Sequence, residues 1–233
     1  MRPTFDDILQ YRGRAALRSD SRVRRKAILE AALRVIERDG VRGVKHRAVA
    51  AEAKVPLAAT TYYFDDIQSL LHDAFVHYVE TRLSSDSTSV LNQAYALIQQ
   101  FEDTPEVSVQ ERQKRLIEGI VQLLYEHVLL QVGQTVERRV EVAFRHEALC
   151  NDDLAAVVAI PHGIQLQAIE ECLTVLKSQN PKADAQVVMG TLLYLEYTLS
   201  LNKSDEQLAC AREALRRMMT GLLGLSSALE SIS

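Results

Sequence analysis

Residues 40–64 read GVRGVKHRAVAAEAKVPLAATTYYF, and the fold class turns on whether the closing TTYYF is strand or helix. β-branched and aromatic side chains favour a pleated surface, so local propensity suggests strand. The residues before it, however, read as helix, and no second strand lies nearby to pair with it. Pro56 stands where a helix can begin, because its fixed φ and missing N–H do no harm there. The stretch therefore reads as two short helices, Ala48 to Ala53 and Leu57 to Phe64, joined by a tight turn. Val49 is a core contact of the first, and small Ala50 and Ala53 let another helix cross closely. Val55 is the wedge in the turn, and Phe64 points inward.

Outward from this pair the helical pattern continues in both directions. Ala27, Ile28, Ala31, Ala32, Val35 and Ile36 recur at helical spacing between Ser21 and Asp39, and Gly40 is the stop. Asp65 and Asp66 supply the acid that a helix start favours, opening a fourth helix to about Glu80. The polar run RLSSDSTS at 82–89 breaks the pattern. Beyond it come helices of about 90–101, then Ser108 with Glu111 as a capping box to about Leu130, then about 134–149. Asn151 opens the next, bent near Pro161 and ending about Ser178. The last two cover about 184–201 and 205–224, the second opened by Ser204 and Gln207. With only 9 Gly and 5 Pro, long helices are expected. The reading is all-α, nine to ten helices, with an arm at 1–20, a helix-turn-helix domain at 21–80 and a larger helical domain at 81–233.

Composition bounds the partners. Cys150, Cys172 and Cys210 are odd in number and form no C-x-x-C pair, which suits a reducing compartment better than a disulfide or zinc framework. No apolar run reaches the length of a membrane span and the first residues show no apolar leader, so a cytoplasmic location and no membrane partner are expected. The net charge of −4 hides an asymmetry: residues 12–47 hold twelve Lys/Arg against four Asp/Glu, whereas 81–233 hold thirteen against twenty. Charge near a contact face matters more than the sum. A solvated basic helix without a partner is the plainer alternative.

In the second short helix, Ala58 and Ala59 leave one side nearly bare, so its backbone can approach a groove wall, and an α-helix fits the major groove of B-DNA. Thr60 and Thr61 offer hydroxyls and methyls, and the phenols of Tyr62 and Tyr63 can reach phosphate oxygens. Over roughly residues 21–80, with ERDG closing the first helix, then GVRGVKHRAVAAEAKV, PLAATTYYF and a helix carrying LL and AF, the sequence resembles the TetR family of bacterial transcriptional regulators. The resemblance implies base readout by Arg47, with Lys45 and His46 near phosphate. It assigns Leu57, Ala58, Ala59, Thr61, Tyr62 and Tyr63 to the recognition segment, Tyr63 standing where relatives place a phosphate-contacting His. Departures are Lys54 at the usual turn Gly, Lys45 at the usual Thr/Ser cap and Ile67 at a usual Lys. The basic residues Arg12, Arg14, Arg18, Arg22, Arg24, Arg25 and Lys26 then offer a compensating arm for a minor groove.

For 81–233 the resemblance implies effector binding and dimerisation. Polar and aromatic residues interrupting apolar faces are Tyr125, His127, Phe144, His146, His162, Tyr194, Glu196 and Tyr197, with Tyr125, His127, Phe144, His146, Tyr194 and Tyr197 as effector candidates. Abundant Leu, Val and Ala suggest an apolar effector. Val187, Val188, Leu192, Leu195 and Leu199, with Leu208, Leu215, Met218, Met219 and Leu222, fit a four-helix interface with a second copy. An all-α enzyme is the rival from another class, but no paired acid–base or nucleophile set stands at sensible spacing. No E-x-x-H, H-E-x-x-H, G-x-S-x-G or Walker loop occurs, so neither a cofactor nor a metal is expected. A regulator whose second domain binds only protein is the third reading. The expectation is a repressor on a palindromic DNA operator, dimeric and released by a small effector.

Overall fold

The computed structural model describes residues 10–16, 18–83, 87–102 and 108–224. Among them lie ten α-helices and no strand: α1 Ser19–Asp39, α2 His46–Ala53, α3 Leu57–Tyr63, α4 Ile67–Leu83, α5 Ser87–Glu102, α6 Val109–Gly133, α7 Thr135–Ala148, α8 Asp152–Val175, α9 Pro181–Leu201 and α10 Asp205–Gly224. A single 3₁₀ turn, Val41–Gly43, follows α1. The loop expected at 102–106 falls largely outside the described residues, as do residues 1–9 of the arm.

The chain divides into two compact units, Met1–Ser84 with Val136–His162, and Ser85–Thr135 with Gly163–Ser233. In the first, α1 buries Ile28, Leu29, Ala31, Ala32, Val35 and Ile36 and stops at Gly40, whose φ of 72° is open to a residue without a Cβ. Helix α2 contributes Val49 and Ala50 and ends in a Schellman motif, with Lys54 N–H donating to the Ala51 carbonyl and Val55 N–H to the Ala50 carbonyl. Lys54 thereby takes the left-handed conformation the turn requires, φ 56° and ψ 41°. No side chain caps α2 at Lys45.

TTYYF is helical through Tyr63 because its apolar groups meet a core there. Thr60, Tyr63 and Phe64 are buried. Helix α4 starts where Asp66 accepts the Ser69 N–H at 2.7 Å, which holds the Asp66 carboxyl below its ordinary pKa. It is apolar on most sides, burying Leu70, Leu71, Ala74, Phe75, Val76, Tyr78 and Val79, as a helix at the middle of a core must be. Val140 and Phe144 of α7 and Leu154 and Val157 of α8 close this core, Phe144 meeting Phe75 edge to face at 5.0 Å. Residues 136–162, which the sequence pattern groups with the later helices, thus pack with the first four. Pro161 lies inside α8, beside the division between the units.

The second unit is built around α6, α9 and α10. Ile117, Ile120, Val121 and Val128 meet Ala185, Val188, Leu192, Leu195 and Leu199, with Ala211, Leu215, Met219 and Leu223 completing the cluster. Arg216 grips Glu118 across α10 and α6 through two nitrogens, at 2.8 and 3.2 Å. Capping appears where the side chains predicted it at Ser108, which accepts the Glu111 N–H, and at Ser204, which accepts that of Gln207, and Asn180 caps α9 by accepting the Ala183 N–H.

Candidate nucleic-acid interface

Helices α2 and α3 share one exposed face. Lys45 and Arg47 are exposed at the start of α2, Lys54 in the turn, and Leu57, Ala58, Thr61 and Tyr62 along α3. Tyr62 is 54% exposed. The charges are sorted by position. Arg34 and Arg38 of α1 both pair with Glu52, at 2.8 and 3.1 Å, and Arg25 pairs with Asp73. Among the described residues, Arg42, Lys45, Arg47 and Lys54 have no carboxylate partner. Arg34 and Arg38, which meet α2 from α1, are neutralised, and the cations at the start of α2 and in the turn are not.

Two expectations for this face need correction, and two further residues stand partly inward. Tyr63 is only 4% exposed, and its hydroxyl is paired with the Ser21 hydroxyl at 2.7 Å, so it ties α3 to α1 rather than standing outward. Thr60 is buried with its hydroxyl donated to the Leu57 carbonyl at 2.8 Å, leaving Thr61 as the exposed threonine. Ala59 is half-buried against the core. His46 is also half-buried, beside Asp66, and its Nδ1 is enclosed without a hydrogen-bond partner. In each case a helix of so few turns must turn one side inward, and one-dimensional spacing does not say which.

The basic arm is corrected at two of its residues, Arg12 and Arg25. Residues 11–13 lie against α4. Arg12 and Gly13 N–H groups donate to the Asp73 carboxylate at 2.7 and 2.9 Å, and Arg25 and the His72 ring complete its shell. Asp73 is fully buried, and four donors are what a buried carboxylate needs. The Tyr11 hydroxyl bonds Glu80, and its pKa is pushed up by burial first and by Glu80 second. The Arg25 guanidinium lies between the Tyr11 ring, 4.3 Å away, and the Phe64 ring. It is a core contact and not part of a free arm.

The effector candidates do not converge. Phe144 belongs to the core of the first unit and His146 is exposed. Tyr194 and Tyr197 are exposed on α9. Tyr125 is half-buried beneath the Arg212 guanidinium. His127 stands 3.7 Å from buried Glu196, a polar pair of α6 and α9 against an apolar core. Of the proposed dimer contacts, Val188, Leu192, Leu195, Leu199, Leu215 and Met219 are buried in the subunit's own core. Val187, expected there too, is exposed and forms the exposed apolar stripe of α9 with Tyr194, Tyr197 and Leu201. Beside it an open groove of about 470 Å³ runs between α9 and α10, lined by Val187, Gly190, Tyr194, Cys210 and Ala214 among others. Among the described residues no helix is long and apolar enough to cross a membrane, and no three His, Cys, Asp or Glu side chains are grouped to hold a metal.

Residues 28–74 match the model of the bacterial regulatory proteins of the tetR family. No curated protein matches the chain. A solved member of the TetR family from Streptomyces coelicolor A3 is 25% identical, with a TM-score of 0.53 over 84% of this chain and 97% of that one. The multidrug binding protein EbrR complexed with imidazole is 26% identical, with a TM-score of 0.50 over 84% and 94%. A transcriptional regulator from Rhodococcus sp. Rha1 shares the fold at 16% identity, with a TM-score of 0.57 over 86% and 96%. The matched segment runs from the core of α1 through α2 and α3 into α4, and over this domain the chain is similar to the bacterial regulatory proteins of the tetR family.

Proposed function

We propose that the chain is a homodimeric repressor that binds a palindromic duplex operator and is released by a small apolar effector. The observation that carries the DNA contact is the sorting of charge, with unneutralised Arg42, Lys45, Arg47 and Lys54 around the exposed side of α2 and α3. Arg47, in the first turn of α2, reads a base edge, while Lys45 and Lys54 meet phosphates. Leu57, Ala58 and Thr61 approach the groove floor, where apolar groups suit a thymine methyl. Tyr62 reaches backbone phosphate, and Tyr63, Ala59 and His46 hold the helices in place.

The stripe Val187, Tyr194, Tyr197 and Leu201 supports a two-fold interface, since a C₂ contact uses one patch twice and an exposed apolar patch calls for a cover. Such a dimer sets two recognition helices at a spacing that a palindrome mirrors. The His127–Glu196 pair supports an effector site in the second unit, being polar groups placed against an apolar core. EbrR, of the same fold, is described as a multidrug binding protein. An effector that prefers the weakly binding conformation lowers operator affinity by its differential binding, typically about 1–3 kcal/mol.

Selection of bound sequences from a random duplex pool, with purified protein at near-physiological salt, tests this reading. Enrichment of a palindrome supports it. A folded dimer that enriches nothing, or isolated half-sites only, opposes it.

A further inference from the structure

Helices α1 to α4 bury their own core, yet a fully buried carboxylate on α4 holds a segment that precedes them all. Asp73 accepts the backbone N–H groups of Arg12 and Gly13, and the next N–H, that of Arg14, donates to the Tyr63 carbonyl at 2.8 Å. The approach is close. A Cβ on Gly13 would lie 2.7 Å from the Phe64 ring and 2.8 Å from the Tyr63 carbonyl oxygen. The backbone of Arg14 is thus pinned at the C-terminal end of α3. Its side chain is exposed, with the guanidinium stacked 4.6 Å from the centre of the Tyr62 ring. Among the described residues no carboxylate pairs with Arg14, whereas Arg12, two residues earlier, reaches Asp153 at 3.9 Å.

We propose that Arg14 is a DNA-phosphate contact, presented beside the recognition helix by this N-terminal strap. The proposal rests on the reading of α2 and α3 as the DNA-binding pair. Base edges are met mainly by the N-terminal residues of a recognition helix, and Arg14 stands at the other end, where the groove wall carries phosphates. Stacking on Tyr62 fixes the plane of the guanidinium and leaves its edge N–H groups free, the geometry that grips a phosphate through two donors. A cation ordered before binding loses little freedom on contact.

The test uses the full chain and the duplex that the wild type enriches from a random pool, with Kd measured over a series of salt concentrations. Arg14→Ala is expected to bind about tenfold more weakly, with the slope of log Kd against log salt reduced by about one per protomer and the selected sequence unchanged. Arg14→Lys keeps most of the slope. Gly13→Ala, which retains every charge but crowds Phe64, is expected to lose affinity in the same direction. Unchanged affinity and slope in Arg14→Ala would overturn the proposal, as would a loss of affinity at unchanged slope, the mark of a purely structural role. A changed preference at one base would replace phosphate by base readout and overturn it too. If the wild type enriches no duplex, the DNA-binding reading itself fails, and the absence of any reference affinity identifies that failure.

Discussion

Lys54 holds φ 56° and ψ 41° with a Cβ present, a conformation that costs about 1 kcal/mol and that glycine adopts freely. Lys54→Gly should therefore raise stability by roughly 1 kcal/mol in urea denaturation. Lys54 places an exposed charge beside α3 at that cost. Tyr63→Phe removes the Ser21 contact and should cost about 0.5–1.5 kcal/mol of stability, with little change in the slope of DNA binding against salt. That differs from what spacing suggests, because Tyr63 turns inward toward α1 while Tyr62 faces outward. Arg47 is exposed as the pattern predicts. Arg47→Ala should weaken operator binding by about 1–3 kcal/mol and relax preference at one base position, read by repeating the selection with the variant.

At the scale of elements, α4 depends on its cap and on a buried charge. Asp66 accepts the Ser69 N–H, so Asp66→Ala should cost about 1 kcal/mol at neutral pH. The folded-state pKa of Asp66 is depressed, first by that backbone donor. Its stabilising contribution is therefore present above the ordinary Asp value and is lost as pH falls through the lower folded value. Chemical denaturation at neutral and acid pH should show the Asp66→Ala deficit narrowing in acid. Asp73→Asn leaves the Arg25 guanidinium, largely buried, without its counter-charge, which costs about 3–5 kcal/mol in comparable sites. Faster amide exchange at Arg12 and Gly13 would show that the strap has come loose. The helix at TTYYF belongs to the same lesson. Local propensity suggests strand, and burial of Thr60, Tyr63 and Phe64 overrides it.

For the molecule as a whole, helix α9 carries two apolar faces. Val188, Leu192, Leu195 and Leu199 pack inside the second unit, while Val187, Tyr194, Tyr197 and Leu201 are exposed, Leu201 at 70%. The two sets should respond differently. Leu195→Ala opens a cavity and should lower unfolding free energy by about 2–5 kcal/mol. Tyr197→Glu should give a folded monomer by sedimentation, and its melting temperature should lose the dependence on protein concentration that a dimer shows. A folded Tyr197→Glu variant that remains dimeric would place the interface elsewhere.

Several features were legible in the chain without coordinates. The all-α class, the helices to within about three residues at their ends, the caps at Ser108 and Ser204 and the helix-turn-helix motif all follow from interactions within a few residues of one another. Helical spacing, Asx and Ser caps and a glycine stop are local physics, and the linear order displays them. What the tertiary structure decided is which face of each helix turns inward: Tyr63 over Tyr62, Thr60 over Thr61, Val188 over Val187. It also decided that Val136–His162 packs with the first helices, and that Asp73, an ordinary-looking acid in mid-helix, gathers the backbone of residues 12 and 13, 60 positions away, with Arg25. Those outcomes depend on burying apolar area and satisfying buried charge across long sequence separations. No local pattern encodes them, because the partners meet only once the core has closed.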